Sequence, residues 1–197
     1  SASEMNNLFF EILIAPDYDE ESLKILNSKK NRILLKLKET NFDSVSSKKI
    51  LGGYLNQDLD VAENKIKNWK VVTQKTPSSK NYEDLQFANK IVKHSKSNAI
   101  VLVKNSQMIS SGVGQTSRVD ALKHAIEKAK TFGFDIKGSV MASDAFFPFP
   151  DCVEIAADSG ISSIVQPGGS IKDNLSIEVC NNTDISMVLT GMRHFYH

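Results

Sequence analysis

The sequence predicts an α/β fold, and three features of its 197 residues support that class. Short apolar runs typical of strands alternate along the chain with amphipathic segments typical of helices. Residues 99–103 form a continuous apolar run, as in a strand buried on both faces. Two glycine-rich turns, at 112–115 and 167–170, each follow a predicted strand and precede a predicted helix. Together these features are typical of an open α/β sheet with ligand-binding turns.

The first third of the chain contains predicted elements but no catalytic constellation. Gly52 and Gly53 lie inside one predicted strand, where we expect a bulge or a close backbone approach. Acidic residues occupy the first turn of the predicted helix, where the helix dipole favours them. The elements in order are a strand at 9–15, a helix at 17–28, and strands at 33–37, 49–56 and 71–73.

The middle of the chain has a clearer pattern. A helix is predicted at 82–96, followed by the strand at 99–103 and a strand at 107–114. The next helix begins near Ser117. The glycine turn at 112–115 offers free N–H groups to an anion or carbonyl, and a tight turn without a ligand is an equally good interpretation. The dipole disfavours a cation in a first helical turn, so Arg118 indicates a ligand.

Residues 143–151 place three phenylalanines and two prolines between two aspartates, after a strand at 139–142. Pro148 and Pro150 fix φ and remove backbone donors, so this segment cannot continue a central strand or form a helix interior. Its rings could hold a flat ligand whose edge hydrogen-bonds a carboxylate. The alternative is a buried loop in which Asp151 caps the next helix.

The last part of the chain repeats the strand, turn and helix order. The turn at 167–170 lies at the carboxyl end of a strand, where open α/β sheets place ligands. Residues 193–197 combine an arginine with rings, which indicates either a docked tail or a ligand contact. The predicted elements are a helix at 152–158, a strand at 161–165, a helix at 171–181 and a strand at 186–190.

Composition excludes several classes of protein. The 24 basic and 23 acidic residues give a net charge of +1, so we expect no nucleic-acid or membrane partner. There is no membrane-length apolar run and no signal-peptide pattern, which predicts a cytoplasmic protein. Cys152 and Cys180 form no C-x-x-C pair, which favours reduced thiols and no metal site. The chain starts without methionine, so we expect it to continue from an upstream part.

An ordered set of motifs then resembles one family across essentially the whole chain. The motifs are 10–16 (FEILIAP), Gly52-Gly53 with Gln57-Asp58, 97–100 (SNAI), 114–118 (GQTSR), 143–149 (SDAFFPF), 166–170 (QPGGS) and 193–197 (RHFYH). In this order they are similar to the C-terminal part of the bifunctional AICAR transformylase/IMP cyclohydrolase family of purine biosynthesis. Each motif alone is weak, but the ordered set is specific.

The resemblance implies a fold and a reaction. The fold is a cytidine-deaminase-like three-layer α/β domain with a mixed sheet, the second unit of the transformylase region. Residues 1–70 would be a leading α/β segment, and 71–197 the transformylase subdomain. The reaction passes a formyl group from 10-formyltetrahydrofolate to AICAR, without a metal. The family also implies a homodimer whose transformylase sites lie between two subunits.

The resemblance also assigns site residues. Asn98 would lie near the formyl group as the catalytic residue of this part. The folate would contact Val119, Phe146, Phe149, Asp151 and Ser170, with the Asp151 carboxylate accepting hydrogen bonds from the pterin edge. The AICAR nucleotide would contact Arg118 at its carboxamide, Arg193 at its phosphate, and Phe195 and His197.

Two departures from the family pattern bear on activity. Ser110 stands where the family commonly has the first glycine of its G-x-G-x-G-Q turn, so a less close approach is expected there. The Lys-His-x-Asn-Pro-Cys-Gly motif, which supplies the family's catalytic lysine and histidine, is absent from the sequence. Lys93-His94 and Lys123-His124 lack its context and are expected at the surface. We therefore expect binding without turnover; a non-catalytic assembly module is the alternative function.

Overall fold

The computed structural model describes residues 1–39, 44–62 and 65–196. It divides into two compact units, Ser1–Leu59 and Asp60–His197. Within the described ranges, every helix is too short or too polar to cross a lipid bilayer. Each unit is described separately below.

The first unit contains two separate two-stranded sheets. β1 and β2 pair in parallel, whereas β3 and β4 form an antiparallel hairpin. Arg32 is buried near its centre, where its guanidinium lies 4.0 Å from the Phe10 ring and donates to the Leu26 carbonyl. The elements are α1 (Ala2–Asn6), β1 (Ile12–Ala15), α2 (Glu20–Leu26), β2 (Ile33–Lys36), β3 (Val45–Ile50) and β4 (Gly53–Asp58).

The prediction of one strand at 49–56 is wrong, because the chain reverses direction inside that range. β3 ends at Ile50, Leu51 and Gly52 form the turn, and β4 begins at Gly53. Leu51 adopts φ of 45°. Apart from the chain neighbours, no atom of the described residues lies within 4 Å of a Cβ built on Gly52 or Gly53. The glycines therefore mark an open hairpin turn rather than a bulge or a close approach.

The second unit is built on a six-stranded mixed sheet with strand order β5-β10-β9-β8-β6-β7. β8, β9 and β10 are parallel, while β6 runs antiparallel to both β8 and β7, and β5 antiparallel to β10. The elements are a 3-10 turn (Ile66–Asn68), β5 (Lys70–Val71), α3 (Ser79–Lys93), β6 (Ile100–Lys104), β7 (Gln107–Gly112), α4 (Arg118–Thr131), β8 (Val140–Ser143), α5 (Asp151–Asp158), β9 (Ser163–Gln166), α6 (Asp173–Asn182) and β10 (Ser186–Leu189).

Helices cover both faces of this sheet, which gives three layers. On one face, Ile100, Leu102 and Met141 pack in a buried cluster with residues of α4 and α5. The alternate strand positions, including Val101 and Val140, pack in a second cluster with α3. Because successive strand side chains point to opposite faces, both clusters draw on the same strands. The predicted α/β class, with a mixed sheet in three layers, is confirmed.

Helix starts are set by side-chain caps at several points. Ser117 caps α4 by accepting the N–H of Asp120 at 3.0 Å, so the predicted start near Ser117 is confirmed. The alternative in which Asp151 caps α5 is wrong. Pro150 holds the cap position, and Asp151 is the first helical residue, with Oδ1 accepting the N–H of Cys152 at 2.8 Å.

The sheet topology collects several connections at one edge. The carboxyl ends of parallel strands lie at the same edge, so the segments after β8, β9 and β10 meet there. Because β6 is antiparallel to β8, its beginning lies at that edge, as does the end of β7. The segments brought together are 97–99, 112–118, 144–150, 167–172 and 190–196.

Candidate functional site

Arg118 is the centre of a hydrogen-bonded cluster at this edge. Its Nη2 donates to Asn98 Oδ1 at 3.0 Å and to Asp144 Oδ1 at 2.9 Å. Its Nη1 donates to the Phe146 carbonyl at 3.3 Å. A guanidinium has five N–H donors, so these three bonds leave Nε–H and one Nη1–H. Nε is buried without a hydrogen-bond partner among the described residues. Arg118 is therefore fixed in place, and one Nη1–H remains as a donor for a ligand carbonyl, because the buried Nε–H is out of reach.

Asp144 is the residue of this cluster that the sequence did not reveal. It is fully buried at the end of β8, and its Oδ1 also accepts the N–H of Ala99 at 3.2 Å. Its pairing with Arg118 compensates two charges in a place where either alone would be costly. A signal existed, because Asp144 is one of the two aspartates that bound the phenylalanine segment. An aspartate beside prolines, however, equally indicates a turn.

Asn98 is held firmly by its neighbours. Its Nδ2 donates to the Gln115 carbonyl at 3.0 Å and to the Thr116 carbonyl at 3.3 Å, while Oδ1 accepts from Arg118. The backbone N–H and carbonyl of Asn98 also pair with those of Gln115, each at 3.3 Å. The side chain thus links the beginning of β6 to the first turn of α4.

The prediction of free N–H groups in the first glycine turn is wrong. Gly114 donates to the Lys96 carbonyl at 2.7 Å and Gln115 to the Asn98 carbonyl, because the turn packs against the segment before β6. The glycine that packing requires is Gly112, where a Cβ would lie 1.9 Å from the Ala121 carbonyl oxygen. Close helix–strand packing therefore occurs at Gly112.

In the second glycine turn, too, backbone N–H groups already donate to acceptors within the protein. Gly169 and Ser170 donate their N–H groups to Asp173 Oδ2 at 2.7 and 3.1 Å. Ser170 Oγ accepts the N–H of Lys172 at 3.2 Å. Ser170 is half-buried, and its hydroxyl can still donate.

The phenylalanine segment divides between core and surface. Phe147 is fully buried in the core cluster that contains α4 and α5. Phe146 is half-buried, and Phe149 is 51% exposed with Lys172 Nζ 4.2 Å from its ring centroid. The buried-loop interpretation therefore holds for Phe147, whereas the interpretation as a ligand-binding segment stays a prediction for the two accessible rings.

Arg193 joins the terminal segment to the phenylalanine segment. Its guanidinium carbon lies 4.6 Å from the Phe146 ring centroid, and Nη2 lies 3.6 Å from a Cβ built on Gly169. The side chain forms no ion pair with any described residue. An exposed, uncompensated guanidinium on an aromatic ring is suited to a phosphate or carboxylate.

The terminal segment itself is docked. Ser97 donates its N–H to the Tyr196 carbonyl at 2.8 Å, and Tyr196 donates its own to Ser97 Oγ at 3.1 Å. His194 is 1% exposed, whereas Phe195 is 44% exposed. His197 lies outside the described residues. Both interpretations of the tail therefore remain compatible, because it is docked and also presents Arg193 and Phe195.

Val119 and Asp151 complete the predicted set. Val119 is half-buried and packs against the larger core cluster. Asp151 is half-buried beside Cys152. Burial, with the neighbouring Asp151 charge, raises the pKa of the Cys152 thiol to about 12. Cys152 is therefore an inert thiol at neutral pH.

The two Lys-His pairs that lack the family's motif context, Lys93-His94 and Lys123-His124, are exposed with one exception. His94, Lys123 and His124 are exposed as expected, but Lys93 is not a free surface residue. Its Nζ donates to the Ala62 carbonyl at 2.9 Å and pairs with Asp60 at 3.4 Å. A pocket of about 360 Å³ beside it is lined by Lys65, Asn89 and His94 among others, and contains none of the predicted site residues. No group of metal-ligating side chains occurs among the described residues.

A family profile described as "AICARFT/IMPCHase bienzyme" matches residues 1–128. The chain belongs to this family. The match covers Asn98, Arg118 and Val119, whereas the predicted site residues after position 128 lie beyond it.

Curated relatives match the chain from end to end. The bifunctional purine biosynthesis protein PurH of Bacteroides thetaiotaomicron is 58% identical over 197 residues, which is all of this chain and 39% of the relative. PurH of Aquifex aeolicus is 50% identical over 199 residues, again all of this chain and 38% of that protein. The chain therefore spans about two fifths of the length of these members of the bienzyme family.

Solved structures give weaker likenesses. A dCMP deaminase of the cyanophage S-TIM5 aligns with 56% of this chain and 98% of its own, at 16% identity and a TM-score of 0.40. A diaminohydroxyphosphoribosylaminopyrimidine deaminase/reductase of Thermotoga maritima aligns with 54% of this chain and 35% of its own, at 23% identity and a TM-score of 0.36.

Proposed function

We propose that this member of the bienzyme family provides the substrate-binding part of the AICAR transformylase, with 10-formyltetrahydrofolate as the formyl donor. In that reaction the 5-amino nitrogen of AICAR bonds to the formyl carbon and the bond from that carbon to folate N10 breaks. The amine loses a proton and N10 gains one. These 197 residues orient the two reactants, and a separate lysine-histidine unit moves the protons.

The observation that carries the proposal is the fixed Arg118 guanidinium with one Nη1–H left over for a ligand. Three protein acceptors hold the guanidinium, and this remaining N–H suits a neutral carbonyl such as the AICAR carboxamide. Its charge is already compensated by Asp144, so the site favours a neutral acceptor over a second anion. Asn98, which orients the same guanidinium, is proposed to lie beside the transferring formyl group.

Arg193 is proposed to bind the AICAR phosphate. It carries an uncompensated charge on an exposed side chain and forms a fork that matches phosphate geometry. Phe195, exposed two residues further on, is proposed to contact the same nucleotide, together with His197.

The folate is proposed to lie along Phe146 and Phe149, whose rings are accessible at the same edge of the sheet. The Asp151 carboxylate would accept the pterin amino and ring N–H groups, and Ser170 and Val119 would border the ligand. Asp151 lies in the first turn of α5, where an acidic side chain is favourably placed relative to the helix dipole.

Calorimetric titration of this chain tests the binding assignments. We expect Arg193→Ala to weaken AICAR roughly 10- to 100-fold, because a charge-assisted contact is lost. The dephosphorylated riboside should bind both proteins equally. Asp151→Asn should weaken a folate analogue by a similar factor and leave AICAR unchanged. Lys75→Ala removes an exposed lysine paired with Asp184 and is the matched control. No saturable binding of either ligand would favour the assembly module.

The division of labour is tested by complementation. We expect this chain alone to form a homodimer in sedimentation experiments and to catalyse no formyl transfer. Activity should arise when a polypeptide carrying the lysine-histidine motif is added, with a dependence on both concentrations. Turnover by this chain alone, after mass spectrometry excludes contaminating enzyme, would overturn the proposed division.

A further inference from the structure

His194 is a buried residue between two exposed ones. Arg193 and Phe195 face solvent, whereas His194 is 1% exposed. Its Nδ1 lies 2.5 Å from Asp60 Oδ2, and its backbone N–H donates to the Asp144 carbonyl at 2.9 Å. The Nδ1 proton therefore points at a carboxylate that is 134 residues distant in sequence.

Asp60 is itself held from more than one side. Its Oδ1 accepts the N–H of Ala62 at 3.2 Å and pairs with Lys93 Nζ at 3.4 Å. Burial alone would raise the pKa of Asp60, but the hydrogen bond from His194 and the positive charge of Lys93 outweigh it and leave that pKa lowered. Asp60 is thus an ionised, anchored acceptor at neutral pH.

These contacts fix the direction of the terminal segment. The His194 ring is drawn inward by Asp60, and its backbone is tied to Asp144, the residue that pairs with Arg118. Tyr196 is tied to Ser97 two residues later. With His194 inward, its neighbour Arg193 projects outward over the Phe146 ring. The anchoring of His194 therefore restrains the backbone that carries Arg193.

We propose that Asp60 is a positioning residue, which holds Arg193 in its phosphate-binding orientation by accepting the proton of His194 Nδ1. This inference rests on the proposed function, since it assigns Arg193 to the nucleotide phosphate. Asp60 does not contact the ligand. It acts through His194 and the backbone between that residue and Arg193.

The experiment compares AICAR with its riboside, because their affinity ratio reports the phosphate contact alone. We expect Asp60→Ala to reduce this ratio roughly 3- to 10-fold, because the hydrogen bond that orients His194 is lost. Asp60→Asn, which still offers an amide oxygen to Nδ1, should retain part of it. Asp135→Asn is the control, since it alters an exposed carboxylate paired with Lys104. Folate-analogue affinity should stay constant throughout.

Proton NMR gives a second readout. The imidazole proton between His194 and Asp60 should resonate far downfield in the wild-type protein and in Asp135→Asn, and vanish in Asp60→Ala. If Asp60→Ala loses its thermal transition, the affinity ratio of Asp60→Asn decides the question, and an unchanged ratio there overturns the inference. If Arg193→Ala also leaves the ratio unchanged, the proposed function is what fails. If the ratio falls in Arg193→Ala but stays unchanged in both Asp60 variants, the positioning role of Asp60 is refuted and the proposed function stands.

Discussion

Apolar strand residues are mostly exposed in the first unit and mostly buried in the second. In the first unit, Leu26 is the one buried apolar residue among those described, and Ile12, Ile14 and Ile33 are each more than half exposed. In the second unit, every residue of β8 and β9 is buried. β1 and β2 of the first unit and β8 and β9 of the second are each four residues long and contain at least two apolar residues. Burial follows from the number of neighbouring layers, and a two-stranded sheet alone is only marginally stable in water.

The same contrast separates what local sequence controls from what packing controls. Strand formation depends on short-range propensity, so strands form in both units. Apolar burial requires a sheet wide enough to be covered by helices, and that condition is met by the six strands of the second unit. Four substitution experiments sharpen this comparison.

The largest effect is expected for Phe147→Ala. Phe147 is fully buried, so the truncation should cost about 3–5 kcal/mol of unfolding free energy. Tyr54→Ala in the first unit removes a ring that is 71% exposed and should cost less than about 0.5 kcal/mol. Urea unfolding followed by circular dichroism and by the fluorescence of Trp69, the chain's one tryptophan, measures both. Equal costs would refute the contrast.

Asp84→Asn should have the next largest effect. Asp84 on α3 accepts the N–H groups of Asn105 and Ser106 at 3.0 and 2.6 Å, in a turn where both residues have positive φ. Loss of the charged acceptor should cost about 1.5–3 kcal/mol. In the first unit, Ser47→Ala removes an exposed hydrogen bond to Asn56 and should cost less than about 0.5 kcal/mol. Thermal unfolding of both variants would show whether the turn depends on α3.

Alanine substitution of glycine should have opposite signs in the two units. At Gly112 the new Cβ would collide with the Ala121 backbone, at a cost of about 1–3 kcal/mol. At Gly53 no atom of the described residues beyond the chain neighbours lies within 4 Å, and the smaller unfolded-state entropy should stabilise by up to about 1 kcal/mol. Urea midpoints of the two variants test this, and a destabilising Gly53→Ala would contradict it.

The last effect is absent at neutral pH and appears only under alkaline conditions. Burial raises the pKa of Cys152 and of Cys180 from 9.0 to about 12. Between these values the folded chain retains thiol protons that the unfolded chain has lost. This stability is therefore complete below pH 9.0 and declines towards pH 12, by about 1.4 kcal/mol per pH unit for each thiol. Urea midpoints at rising pH should fall more steeply in the wild type than in Cys152→Ala/Cys180→Ala.

Much of the second unit's fold follows from local sequence signals. The start of α4 was predictable because Ser117 caps it, and β6 because five apolar residues in succession indicate a strand buried on both faces. The order of the strands could not be predicted, because the position of β8 between β6 and β9 depends on contacts between residues far apart in the sequence. The hairpin of β3 and β4 was missed because its turn is led by a leucine.

Within the cluster around Arg118, a sequence signal was present only where a residue conflicts with its own element. Arg118 stands out because a cation opposes the dipole at a helix start. Asp144 and His194 give no such signal, since an aspartate in a loop and a histidine near rings have many ordinary explanations. The pairing of His194 with Asp60 joins residues 134 positions apart, so no window of sequence contains it.

The meeting of several connections at one sheet edge also affects the order in which the chain folds. The β6–β7 hairpin needs only short-range contacts, whereas the contact of Tyr196 with Ser97 closes a loop of 99 residues. Contacts between distant residues form slowly, because loop-closure entropy is lost before they stabilise the chain. During refolding, the contacts at this sheet edge should therefore form after most of the secondary structure, among the last of the native state.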